Sequence, residues 1–176
     1  MHSSLASRQL KYNTKIPMPL SISLTDRLQH QHEAIVDLIE GFSEAQLKER
    51  VIPEKWSAFE NIVHLAAYQK TYIDRLALIL DGKKPKFERY VADNDPLFHE
   101  YLKKSLQELL DDISIKRMII AGRLINLSEK DLIQVGHHPK FGYIPVSKWG
   151  EFFTLHEAHH LFTIMQLLGA IQLRQQ

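Results

Sequence analysis

The chain contains no cysteine. Disulfides, cysteine–zinc sites and a cysteine nucleophile are therefore excluded. Any metal must be held by histidine, aspartate or glutamate, and any thiol chemistry must use a thiol that the substrate brings. No stretch approaches the ~20 uninterrupted apolar residues that span a bilayer, so no membrane partner is expected. Residues 1–19 are polar, carry Arg8, Lys11 and Lys15, and lack the apolar centre of a signal peptide. They are expected to form a flexible N-terminal arm on a cytoplasmic protein. A basic stripe is also missing. Twenty-two Lys and Arg face 21 Asp and Glu, for a formal charge of +1. The cations are scattered, so no nucleic-acid partner is expected. No convincing strand pattern stands out.

What is present is helix. The 176 residues, 44% of them hydrophobic, suit one domain with a sizeable core, assigned to residues 20–176. The spacing predicts a first helix over 23–40, with Leu24, Leu28, Ile35, Leu38 and Ile39 on one face, stopped at Gly41. A short turn with an S-x-x-Q capping box starts at Ser43. A second helix starts at the S-x-x-E box Ser57–Glu60 and ends at Asp81-Gly82. The polar connector from Lys83 to Pro96, at ~3.3 Å per extended residue, is long enough to cross a bundle. It allows the second and third helices to run parallel. The third helix is expected over 96–126. A second short turn follows at Ser128, then a loop at 137–145, then a fourth helix from Ser147 to about Leu173. A faint echo links Phe42-Ser43-Glu44 with Leu127-Ser128-Glu129. Each precedes a proline-containing loop, a tryptophan and a histidine-bearing helix. The expected fold class is all-α, a four-helix bundle with a long crossover between helices two and three.

Three of the ten histidines carry most of the functional information. His156 and His160 stand at i, i+4, so their rings share one helical face and are close enough to chelate one ion. His159, at i+3, competes with His160 but lies toward the edge of the apolar stripe. His64 sits near the edge of the inner stripe of the second helix. Two histidines one turn apart, with a third from a distant helix, can form a facial site with open coordination positions. On the residues alone, the plainer reading of each is a partly buried imidazole satisfied by a hydrogen bond. His30, His32 and His99 are expected to be solvated. His137 and His138 belong to the loop, where they could touch substrate or the backbone.

Trp56-Ser57-x-x-Glu60-x-x-x-His64-Leu65 resembles a signature of the DinB/YfiT-like superfamily. His138-Pro139-Lys140-Phe141-Gly142, followed by Trp149 and His156-x-x-x-His160, resembles that family's later motifs. The resemblance covers roughly residues 20–173. It implies a four-helix bundle with a crossover and a divalent metal, Zn or Ni, on His64, His156 and His160. It also implies a homodimer and a small-molecule substrate. The activity it implies is that of a metal-dependent hydrolase, or of a transferase using a low-molecular-weight thiol. A non-catalytic metal-binding or interaction bundle is the alternative. Candidates for catalytic or supporting roles are Glu60, one turn before His64; Tyr68, one turn after it; His138; and Glu157, beside His156.

Overall fold

Serine caps begin most of the helices. In the computed structural model, which describes residues 20–174, Ser21 caps α1 (Ile22–His30). A 3-10 turn at Gln31–Glu33 separates it from α2 (Ala34–Ile39). Ser43 caps α3 (Glu44–Leu47), and Ser57 caps α4 (Ala58–Leu80). Asp95 caps α5 (Pro96–Tyr101), Ser105 caps α6 (Leu106–Ile125) and Ser128 caps α7 (Glu129–Leu132). A hairpin, β1 (Val135–His138) and β2 (Gly142–Pro145), leads into α8 (Val146–Leu173). The arm expected at 1–19 lies outside the described residues.

Both capping boxes expected from the sequence are present, and a third stands at Ser105–Glu108. This third box explains why the expected third helix is two helices. It starts a new helix after α5 has ended, instead of sitting inside one long helix. The expected first helix is likewise interrupted, where Gln31 turns its amide inward to the Thr154 carbonyl and the Glu157 carboxylate. The hairpin was not expected. Its strands have four residues each, too short for a period-2 pattern to show. Gly142 closes its tip at φ +70°, where a side chain is strained. Gly136 fits because a Cβ there would come within 2.7 Å of Ile79.

The direction of each helix follows from two core clusters. One holds Ile35 and Ile39 of α2, the first half of α4, Leu109 and Ile113 of α6, and Ile164 to Ile171 of α8. The other holds Leu24 and Leu28 of α1, Tyr72 to Ile79 of α4, Ile120 and Leu124 of α6, and Val146 to Phe153 of α8. Helices α1–α2 and α8 therefore run one way, and α4 and α6 the other. Both α1 and α4 pack against α6 and α8. The parallel neighbours α4 and α6 are joined by the crossover segment 81–95, which runs beside the hairpin. Phe87 N donates to the His137 carbonyl at 3.2 Å, and His137 N donates to the Pro85 carbonyl at 2.8 Å. The result is a four-helix bundle with a crossover after the second long helix. No helix among the described residues is long and apolar enough to cross a membrane.

Candidate metal centre

The Ser57–Glu60 box sets where α4 begins, and so which residues share its inner face. Asn61, His64 and Tyr68 follow at steps of three and four and lie one above another. His156 and His160 occupy the facing side of α8. Antiparallel packing of α4 on α8 brings the three histidines together, with one ligating atom from each within 4.8 Å of the others. His64 Nε2 and His156 Nε2 are 3.1 Å apart. The His160 ring lies 4.4 Å from that of His64 and 4.8 Å from that of His156.

Burial makes these rings poor bases. Desolvation, with the other histidines adding to it, pushes His64 down to about 3, His156 to about 4 and His160 to about 2. All three are therefore neutral near pH 7, with a lone pair available on each. Asn61 settles which nitrogen of His160 carries it. His160 Nδ1–H donates to Asn61 Oδ1 at 2.8 Å, which leaves Nε2 for the cluster. The donor set fits a divalent ion. Tetrahedral sites with ligands at ~2.0–2.1 Å place neighbouring nitrogens roughly 3.3 Å apart, close to the His64–His156 spacing. His64 Nδ1, by contrast, is buried without a partner.

The cluster forms the floor of an open cleft of about 720 Å³. Trp56 and Tyr90 pack on His64 with ring centroids at 5.2 and 5.7 Å. Tyr68 lies 4.5 Å from the His156 ring, and Phe152 lies 6.0 Å from it. The crossover and the hairpin supply the outer walls.

The family model of the DinB superfamily matches residues 27–164. The chain belongs to the DinB superfamily. Its fold is similar to that of YfiT from Bacillus subtilis, described as a probable metal-dependent hydrolase with an unusual four-helix bundle topology. That match has a TM-score of 0.70 and 17% identity, over 82% of this chain and 83% of YfiT. The four-helix bundle protein TT2238 matches with a TM-score of 0.60 and 19% identity, over 82% of this chain and 97% of that one. No curated protein matches the chain.

The other sequence candidates of this DinB-superfamily chain separate in space. Tyr68 and His138 line the cleft. Burial raises the Tyr68 hydroxyl to about 12, against the pull of the Arg75 guanidinium, so it stays protonated. His138 packs on Phe141 and Phe152, and its Nδ1 accepts from the Lys140 backbone N–H at 3.1 Å. Glu60 does not face the cleft. Its carboxylate accepts from Ser57 N at 2.8 Å and from Arg50 Nε at 2.9 Å, so it is spent on the cap and an ion pair. Glu157 lies away from His156, buried against Arg117 and Gln31. His159 is exposed and outside the cluster. His32, expected to be solvated, is half-buried, and its Nδ1 has no partner.

Sequence reasoning missed Asn61, Tyr90 and Arg75. Asn61 had a readable signal, because an amide on the inner face of an otherwise apolar helix needs a buried partner. Arg75 had one too, its place three helical turns after His64 on the same face of α4, but Tyr90 had none, because only the path of the crossover brings it to the cleft.

Proposed function

We propose that this protein is a metal-dependent enzyme acting on a small molecule, with a divalent ion held by His64, His156 and His160. The observation that carries this reading is the convergence of three neutral imidazole nitrogens on the floor of an open cleft. Three protein ligands leave coordination positions open, the arrangement of catalytic rather than structural sites. Imidazole ligation suits both Zn and Ni. A bound ion would act as a Lewis acid and lower the pKa of a coordinated water or thiol. The chain's own residues do the rest. Asn61 orients His160, Trp56 and Tyr90 shield the cluster, and the protonated Tyr68 hydroxyl offers a hydrogen bond to a substrate oxygen.

Hydrolysis is the first reading, supported by the description of YfiT as a probable metal-dependent hydrolase. Transfer to or from a low-molecular-weight thiol is the second, and one observation favours it. The carboxylates lining the cleft, Glu88 and Asp93, are exposed, while Glu60 and Glu157 are engaged elsewhere. Hydrolysis gains from a positioned base, whereas a thiolate formed on the ion needs none. The same reading has the enzyme working in the cytoplasm as a homodimer. The family resemblance supports the dimer, and exposed Phe162 and Met165 on α8 supply apolar surface for it.

Elemental analysis of protein purified without a histidine tag tests the site. Near-stoichiometric Zn or Ni is expected in the wild type and in His159→Ala, and its loss in His64→Ala, His156→Ala and His160→Ala. Parallel screens with esters and amides, and with thiols plus electrophiles, then separate the two reactions. A wild type that takes up neither ion on reconstitution would overturn the proposal.

A further inference from the structure

Among the described residues, Arg75 is a cation without a counter-ion. It lines the cleft, is half-buried, and has no carboxylate partner among the described residues. The other charges in the cleft cancel. Arg89 and Lys140 are exposed at the rim and are offset by exposed Glu88 and Asp93. Arg75 is the charge left over, and it sits deeper than the four rim groups. Leaving a guanidinium partly desolvated and unpaired costs stability unless a ligand repays it.

Its position relative to the histidines is set by α4. Arg75 follows His64 by three helical turns, so both lie on the same face, about 16 Å apart along the axis. Long helical side chains lean back toward the N-terminus, which brings the guanidinium toward Tyr68. Tyr68 stands between His64 and Arg75 on the same helix, and its ring lies 4.5 Å from that of His156. Arg75, Tyr68, His64 and His156 line one cleft. A guanidinium N–H donates to the Glu88 carbonyl at 3.0 Å, and the guanidinium stacks on Phe87 at 5.1 Å. These contacts fix the planar group and leave donors of its fork uncommitted.

We propose that Arg75 anchors a carboxylate of the substrate, and that the substrate is a small carboxylic acid whose apolar or aromatic body lies along Tyr68 toward the three histidines. The proposal rests on the reading of this cleft as the substrate site. The aromatic walls, Trp56, Tyr68, Phe141 and Phe152, suit such a body. A planar guanidinium binds a carboxylate through two parallel hydrogen bonds, which sets orientation as well as affinity.

The test is binding to the metal-free protein, so that it does not depend on any ion. Chelator-stripped protein is titrated calorimetrically at low salt with 3-phenylpropionate and with its neutral counterpart, 3-phenylpropionamide. Wild type is expected to prefer the carboxylate by about tenfold, the worth of one charge-assisted pair. Arg75→Gln should erase that preference, Arg75→Lys should keep part of it, and Arg89→Gln at the rim should leave it intact. Equal binding of the two probes, no binding of the carboxylate, or an equal loss in Arg89→Gln would overturn the proposal. So would an Arg75→Gln protein that melts earlier but keeps the preference, since Arg75 would then only pin the crossover to α4. Failure of the metal reading leaves the carboxylate preference in place, and failure of the anchor leaves metal binding in place.

Discussion

Asn61 Oδ1 accepts from His160 Nδ1–H at 2.8 Å, and Asn61 Nδ2 donates to the Ser57 carbonyl at 2.8 Å. The amide is oriented by the first turn of α4 and in turn orients a ring on α8. Hydrogen bonds of this kind to metal-ligating histidines hold both tautomer and ring angle. Asn61→Ala is expected to weaken metal affinity about 10- to 100-fold while the bundle stays folded. Asn61→Asp, which keeps the acceptor, should retain most of the affinity. Competition with a chromophoric chelator measures both. Unchanged affinity in Asn61→Ala would show that His160 is held by packing alone.

The most deeply buried charges are Arg117 and Glu157, at 1% and 2% exposure. They are paired, and Gln31 donates to the second carboxylate oxygen at 2.9 Å. Burial raises the Glu157 carboxyl, against the pull of the Arg117 guanidinium and the Gln31 amide. Removing one partner strands the other. Arg117→Met and Glu157→Gln are each expected to cost about 3–5 kcal/mol, read by urea unfolding. The double variant Arg117→Met/Glu157→Leu should recover most of that loss. If each single variant costs under about 1 kcal/mol, water reaches the pair.

His32 supplies a pH dependence with a definite sign. Burial, with Arg117 and His30 adding to it and Glu33 opposing, pushes His32 down to about 4 from an ordinary 6.5. Between these values the unfolded chain holds a proton there that the folded chain does not. Stability is therefore lost as pH falls from 6.5 through 4, and this contribution levels off below that. The three clustered histidines act in the same direction. The informative measurement is the difference between wild type and His32→Gln, both metal-free, in melting temperature from pH 7 to pH 4. His32→Gln should show the shallower decline, by at most the slope of one proton. Parallel curves would mean that His32 titrates normally in the folded state.

Much of this molecule is written locally in its sequence. Capping boxes at Ser43 and Ser57, apolar spacing on four long segments and the i, i+4 pair His156–His160 are short-range signals, and the structure carries each of them. The break at Ser105 was legible too, because Ser105–Glu108 has the same form as Ser57–Glu60; the apolar spacing running through it hid the break. The four-residue strands lacked enough alternation to show.

Contacts between distant segments were decided only in three dimensions. His64 meets His156 across 92 positions because α4 and α8 pack antiparallel. Glu157 looked like a support for His156 by adjacency, yet one helical step turns a neighbour to another face; Glu60 stands one turn before His64, yet the Ser57 cap and Arg50 hold its carboxylate. Glu157 went to Arg117 and Glu60 to Arg50. Tyr90 shares a cleft with the histidines only because the crossover returns along α4. A helix dictates which side chains share its face, but which face meets which partner is set by the burial of whole helices together.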